Sequence, residues 1–316
     1  MNPLKAAFVV NPISDFGRTL QVWKQARLVL SARGIEFTEL ITERPGDASA
    51  MTRKALADGV QQIVSVGGDG TLNEVVNGYL DQDGKAINPC ARLGLIPSGT
   101  GSDFRKTIGI KNARAALEVL ANDTSKLLDA GRVHYTTANG ARASRFFINM
   151  VSIGLGGDVS RLVNSWRHLP RWIGGKTRFT LAAVGALGRY KQADLDLAFE
   201  SNDSSVGDHI QVASNLIVVG NGRFAGGGML LAPDASPYDG MFDVVITDRA
   251  DRLDVIRELP RIRRGAYIKN PKVRVVRTKA VSIEGDRPLP LDIDGESEGF
   301  TPADFAVLPA AVRFAV

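Results

Sequence analysis

Apolar and polar positions change rhythm once along this chain, near Gly131. Before that point, strand-like apolar blocks alternate with helical stretches. Ala6–Val10 is an unbroken apolar block of strand length. Thr19–Ala32 reads as a helix that ends at Gly34, and Glu36–Ile41 as a second strand. After Thr42, a helix is predicted near Asp47–Asp58. The run from Ile63 to Val66 predicts a buried strand, and the stretch after it sets Leu72, Val75, Val76 and Tyr79 on one helical face. A strand over Arg92–Ile96 and a helix over Ala113–Leu120, capped by Asn112, complete this half. Strands alternating with helices predict an α/β fold with a doubly wound parallel sheet.

After Asp129-Ala130-Gly131, short strand patterns dominate: Arg132–Tyr135, Phe146–Val151, Leu195–Phe199, Leu216–Val219, Met241–Thr247 and Val273–Val276. Turn residues separate them, as in a mainly antiparallel β-sandwich. Helical exceptions lie near Arg178–Tyr190 and Arg252–Arg263. The expected domains are therefore 1–131 and 132–316, and the last strand, Ala306–Phe314, could return to the first of them.

The densest chemistry lies at Val64-Ser65-Val66-Gly67-Gly68-Asp69-Gly70-Thr71-Leu72-Asn73-Glu74. Here a strand, a tight glycine turn and a helix start follow in immediate succession. Thr71 and Glu74 have the spacing of a capping box. Glycines let backbone N–H groups approach a polyphosphate without a Cβ clash, and the helix N-terminus adds partial positive charge. A carboxylate repels phosphate, so Asp69 makes sense there if a divalent cation sits between them. The plain alternative is an Asp-Gly turn between strand and helix. A second small-residue loop, Pro97-Ser98-Gly99-Thr100-Gly101-Ser102-Asp103-Phe104, also follows a strand. Two Asp-Gly pairs lie further on. Asp239-Gly240 favours a hairpin turn. Asp294-Gly295 lies in an acidic stretch, Asp292 to Glu298, that composition alone reads as a solvated loop.

The chain has 316 residues, 44% of them hydrophobic, enough for two domains with sizeable cores. Its single cysteine, Cys90, excludes an intramolecular disulfide and is expected to pack as a small side chain. His134, His168 and His209 lack zinc-ligand spacing. Met1 to Lys5 leads directly into the first strand, with no pattern of a signal peptide. No uninterrupted apolar run approaches the ~20 residues that span a bilayer. The expectation is a cytoplasmic protein. A net charge of +5 favours anionic partners. Arg161 to Lys191 holds seven Lys or Arg residues and no acid, interleaved with Trp166, Trp172, Phe179 and Tyr190. That pattern favours reversible contact with an anionic membrane surface. Arg249 to Lys279 is the second basic region. No recognised RNA- or DNA-binding module is present, so nucleic acid is not an expected partner.

Gly67-Gly68-Asp69-Gly70-Thr71 resembles the nucleotide-binding signature shared by diacylglycerol-type lipid kinases and NAD kinases. Val10-Asn11-Pro12, the second glycine loop, Asp239-Gly240-Met241-Phe242-Asp243 and Asp294-Gly295-Glu296 resemble further motifs of the lipid kinases, with Ser102 where their second motif usually has Asn. The resemblance runs almost the whole chain and is strongest to compact bacterial lipid kinases related to diacylglycerol kinase. It implies ATP- and Mg2+-dependent phosphorylation of a lipid hydroxyl, with diacylglycerol converted to phosphatidic acid as the leading case. It implies a nucleotide site formed by Asn11, Thr42, Gly67, Gly68, Asp69, Gly70, Thr71, Asn73, Gly99, Thr100 and Gly101. Glu296 becomes the general base, and Asp69 works with magnesium on the phosphates. Asp239, with the backbone carbonyls of Ser236 and Met241, would hold a separate structural Mg2+. Asp103 and Asp129 match carboxylates that organise metal and water, or else are cap and turn residues. The implied partner is a lipid at the inner face of the membrane. Competing readings are an NAD kinase, whose Gly-Ser-Thr-Ala-Tyr-type stretch is missing here, and a catalytically silent lipid- or nucleotide-binding regulator.

Overall fold

β1 (Ala6–Val10) is buried at every position, as its apolar block requires. Its parallel neighbours are β2 (Phe37–Ile41) on one side and β3 (Gln62–Gly67) on the other, and β4 (Arg92–Pro97) pairs parallel with β3. The computed structural model describes residues 5–98, 102–122, 124–166, 175–188, 191–200 and 208–316. Helices α1 (Arg18–Ala32), α2 (Asp47–Ala57), α3 (Asp69–Tyr79), α4 (Phe104–Thr107) and α5 (Ala113–Ala121) connect and cover the strands. α1 seats Trp23 between Phe8 of β1 and Phe37 of β2, with ring centroids 5.0 and 5.7 Å away. Such aromatic pairs contribute about 0.5–1.5 kcal/mol each beyond the area they bury. The Asn112 side chain accepts the Ala115 N–H and caps α5, as its sequence predicts.

The strand order β2-β1-β3-β4 reverses direction of travel between β1 and β3. In open α/β sheets the crevice at such a reversal, beyond the carboxyl ends of the strands, is where ligands bind. Here those ends carry Asn11 after β1 and the glycine run after β3.

The chain divides into two units, residues 1–129 with 310–316, and residues 130–309. The second begins within β5 (Ser125–Thr136) and continues through β6 (Arg142–Phe147), β7 (Met150–Gly154), α6 (Leu155–Ser165) and α7 (Gly175–Gly188). It then runs through β8 (Ala193–Glu200), β9 (His209–Ser214), β10 (Leu216–Gly220), β11 (Phe224–Ala225), β12 (Met229–Leu230) and β13 (Phe242–Thr247). α8 (Arg252–Arg263), β14 (Val273–Thr278), β15 (Ala280–Gly285), β16 (Pro290–Ile293) and β17 (Glu296–Ala315) follow. One layer has the order β14-β13-β10-β7-β16-β17. The other runs through β9, β8 and β15 to β17, which also pairs with β5, and β5 pairs in turn with β6. Phe147, Ile153, Leu197, Phe242, Ile283, Leu291 and Phe305 belong to the apolar core of this antiparallel sandwich. The last residues of β17 lie in the first unit, where Phe314 pairs parallel with Leu93 of β4.

Three local expectations change. The run Phe146–Val151 is two strands, because Ile148 and Asn149 give their N–H groups to the Asp294 carboxylate. The terminal strand begins at Glu296, ten residues before the expected start. Cys90 is exposed rather than packed.

Candidate active site

At the end of β1, Asn11 donates its Nδ2 to Thr71 Oγ1 at 3.2 Å, while its Oδ1 accepts the N–H groups of Ile13 and Ser14. The Asn11 N–H in turn bonds Val66 O of β3 at 3.2 Å. One side chain therefore ties the β1 loop to the first turn of α3 across the sheet's reversal point. Thr42, beyond β2, is held to Val10 O through its N–H at 3.0 Å. Gly67 is required by this packing: a Cβ there would lie 2.6 Å from Thr71 Oγ1. Asn73 is fully buried and accepts the Nδ2 of Asn77 at its carbonyl and its Oδ1.

The capping box expected at Thr71 and Glu74 does not form. α3 starts at Asp69, with Gly68 as its N-cap and no side-chain cap bond. Thr71 turns to Asn11, and Glu74 Oε2 accepts the N–H groups of Gly46 and Ala48. Glu74 thus caps α2 instead, a partner 26 residues and more away in sequence.

Asp69 braces the second glycine loop. Its Oδ2 accepts the Asp103 N–H at 2.7 Å and its Oδ1 the Phe104 N–H at 3.2 Å. A carboxylate has about four lone-pair sites, so these bonds are compatible with a role toward an oxygen-seeking cation. Gly99, Thr100 and Gly101 lie outside the described residues. The loop's flanks are described. Ser98 Oγ accepts Thr19 Oγ1 at 2.8 Å, and the Ser102 hydroxyl is buried with no hydrogen-bond partner among the described residues. Asp103 pairs with Lys106 at 2.9 Å, and Asp129 accepts the Ala310 N–H at 2.8 Å, holding the returning end of β17.

In the second unit, Asp294 and Gly295 form the two-residue loop between β16 and β17, with φ of +50° and +93°. Both values suit the type I′ hairpin turn that Asp-Gly favours. Asp294 is buried, and its carboxylate accepts the N–H groups of Ile148, Asn149 and Met150 at 2.9–3.0 Å. The acidic stretch is therefore no solvated loop. Glu296, paired with Ile293, opens β17 and is half-buried. Asp292 Oδ2 accepts the hydroxyl of Ser160 of α6 at 2.6 Å. Burial pushes its carboxyl up to about 7, and the charges of Asp294 and Glu296 add to the rise against bonds from Ser160 and the Gly295 N–H. Neither the anchoring role of Asp294 nor the Asp292–Ser160 bond was readable before folding. The Asp-Gly pair announces the turn but not what the turn's carboxylate holds.

At the implied structural metal site, the Asp239 carboxylate accepts the Met241 N–H at 3.1 Å and pairs with the Arg277 guanidinium. Arg277 also reaches Asp243 at 3.3 Å, its cross-strand partner. A guanidinium thus already neutralises the carboxylate that a cation would need. The resemblance would place Mg2+ at this turn, between Asp239 and the carbonyls of Ser236 and Met241, beside the Arg277 guanidinium. No group of three or more His, Cys, Asp or Glu side chains suited to a metal ion occurs among the described residues.

A model of the diacylglycerol kinase catalytic domain matches residues 5–133, and a model of the YegS C-terminal NAD kinase beta sandwich-like domain matches residues 149–316. The chain belongs to the diacylglycerol kinase family. It is 30% identical over 95% of its length to a diacylglycerol kinase of Staphylococcus haemolyticus, covering 84% of that protein. It is 27% identical over 98% of its length to one of Mycobacterium tuberculosis, covering 94% of that protein. A diacylglycerol kinase structure from Bacillus anthracis superposes with a TM-score of 0.70 at 20% identity, over 100% of this chain and 97% of that one. Yeast NADH kinase complexed with NADH superposes with a TM-score of 0.52 at 10% identity, over 99% of this chain and 83% of that one. These two likenesses show a shared fold. Membership in the diacylglycerol kinase family makes the chain a lipid kinase, a phosphotransferase.

Proposed function

We propose that this lipid kinase transfers the γ-phosphoryl group of ATP to the free hydroxyl of diacylglycerol or a closely related membrane lipid, yielding ADP and the lipid phosphate. The observation that carries the nucleotide side is the Asn11–Thr71 bond at the sheet's reversal point, beside the glycine run and the start of α3. Backbone N–H groups of Gly68, Gly70 and Thr71 supply donors for phosphate oxygens there, helped by the helix terminus. Asn11, Thr42, Gly67 and Asn73 shape the surrounding loops, and Gly99, Thr100 and Gly101 complete the proposed site. Asp69 fixes the end of the second loop, at Asp103 and Phe104, and is the carboxylate proposed to face the nucleotide-bound cation. Magnesium, when bound with ATP, offsets charge on the phosphates.

Glu296 is the proposed general base. The lipid O–H proton passes to its carboxylate as the oxygen bonds to the γ-phosphorus and the bond to the β-phosphate oxygen breaks. A high-pKa alcohol gains most from such a base. Asp294, anchored on three backbone N–H groups, holds the turn that presents Glu296. A small apolar cavity of about 60 Å³ beneath α8, lined by Leu216, Val218, Leu231, Val245 and Val273, is well below the size of a substrate pocket.

The NADH kinase likeness keeps phosphorylation of a dinucleotide as the second reading. Incubation with γ-labelled ATP, Mg2+ and either a total lipid extract or NAD tests both. Label in a lipid phosphate is expected; label in NADP alone refutes the lipid acceptor.

A further inference from the structure

α8 presents one continuous exposed stripe: Arg252, Leu253, Ile256, Arg257, Pro260, Arg263 and the capping Arg264. These positions recur every three or four residues, so they share a face. The stripe carries no acid. The helix's acids are turned elsewhere and engaged. Asp254 pairs with Lys272 at 2.7 Å and accepts the Asp251 N–H at 2.9 Å, and Glu258 lies 3.5 Å from Arg261. Asp251 is occupied by the capping box at the helix start. Leu253 and Ile256 are 57% and 50% exposed, although Val255 and Ile262 on the opposite face line the apolar cavity. Just beyond the helix, Tyr267 is 54% exposed and Lys269 is exposed.

A solvated helix face mixes both signs of charge and avoids large apolar side chains. A face that combines arginines with exposed Leu and Ile fits a bilayer surface, where apolar side chains enter the acyl boundary and arginine stems extend their charge to head groups. Nucleic acid would match the charge but not the exposed Leu253 and Ile256. The earlier expectation favoured Arg161 to Lys191. In that segment residues 167–174, with Arg167, Arg171 and Trp172, and residues 189–190 lie outside the described residues. Arg161 is exposed; its guanidinium lies over the Phe300 ring at 4.4 Å and its Nε donates to Ser297 Oγ at 3.3 Å.

We propose that the Arg252–Arg264 face of α8 is a docking surface for an anionic lipid bilayer, holding the enzyme where its substrate resides. The proposal rests on the lipid-kinase reading for its purpose, while its physical test does not need catalysis. Each basic side chain close to an anionic surface strengthens partitioning by about fivefold. Flotation of the full chain with phosphatidylcholine vesicles containing phosphatidylglycerol, against phosphatidylcholine alone, measures it. Binding is expected only to the anionic vesicles, and it should fall as salt rises because exposed charges are screened beyond roughly 10 Å at 0.1 M. Arg257→Gln with Arg264→Gln should weaken partitioning about 25-fold. Leu253→Ser with Ile256→Ser should weaken it at low salt and leave a residual, more salt-sensitive binding.

Both variants are expected to keep the parent melting temperature, since the changed side chains are exposed, and to keep turnover of a short-chain lipid in solution. Unchanged partitioning of the arginine variant, no binding of the parent to anionic vesicles, or tight binding of a single-stranded RNA with none to vesicles each overturns the proposal. Loss of all lipid phosphorylation with vesicle binding intact overturns the kinase reading instead, so the two failures are separable.

Discussion

The Asp69 carboxylate accepts the Asp103 backbone N–H at 2.7 Å, joining the glycine run after β3 to the loop after β4. A residue picked out by its place among phosphate-binding glycines therefore also has a structural duty. Asp69→Ala removes an acceptor from two backbone N–H groups, which costs about 1–3 kcal/mol when such donors are left unsatisfied. Asp69→Asn keeps one carbonyl acceptor and removes the charge. The expectation is that alanine lowers both melting temperature and turnover, while asparagine recovers most of the stability and little of the turnover. Denaturant unfolding with steady-state kinetics on both variants checks this. Full activity in the asparagine variant would leave Asp69 only its bracing role.

Glu296→Gln should retain ATP binding and lower the single-turnover rate by about 10²–10⁴-fold, the usual scale for losing a general base. The side chain opens β17 and is half-buried, so the isosteric amide should leave the hairpin intact. Rapid-quench kinetics at saturating ATP separate this from a binding defect. A change confined to KM for the lipid would make Glu296 a binding residue.

Arg277 supplies the positive charge beside Asp239 and Asp243. Asp243 is pushed up by burial and brought down in part by this guanidinium. Added Mg2+ or EDTA is therefore expected to leave the parent's melting temperature unchanged. Arg277→Met should lower it, because it leaves the buried Asp243 carboxylate without that partner. Differential scanning calorimetry decides the matter: a magnesium-dependent rise in the parent that Asp239→Ala abolishes would restore a structural cation at this turn.

Asp292 links pH to stability in the opposite sense to an ion-paired carboxylate. Its folded value is raised to about 7, so the folded chain holds a proton that the unfolded chain releases near its ordinary value of about 4. The contribution of this group is fully present below about pH 4 and is lost as pH rises through 7. Asp292→Asn, which mimics the protonated form and keeps a partner for Ser160, should flatten the stability profile between those limits. Chemical denaturation from pH 5 to pH 8 reads the slope. An unchanged slope would mean that Asp292 is not the titrating group.

Local periodicity is legible in a sequence wherever burial is dictated by neighbours a few residues apart. Ala6–Val10, the α3 face of Leu72, Val75, Val76 and Tyr79, and the Asn112 cap are all of this kind. The glycine run at the end of β3 and the Asp-Gly turn at Asp294-Gly295 were equally readable, because Gly67 leaves no room for a Cβ beside Thr71 and the turn needs positive φ at both residues. Polar partners were not. Glu74 has the spacing to cap its own helix but caps α2, and Thr71 answers to Asn11, 60 residues away. The break at Ile148-Asn149 depends on a carboxylate 145 and more residues downstream. Backbone preference is a local property of the chain. The choice of hydrogen-bond and charge partner goes to whichever group the folded chain brings within about 3 Å, and only the tertiary structure decides which that is.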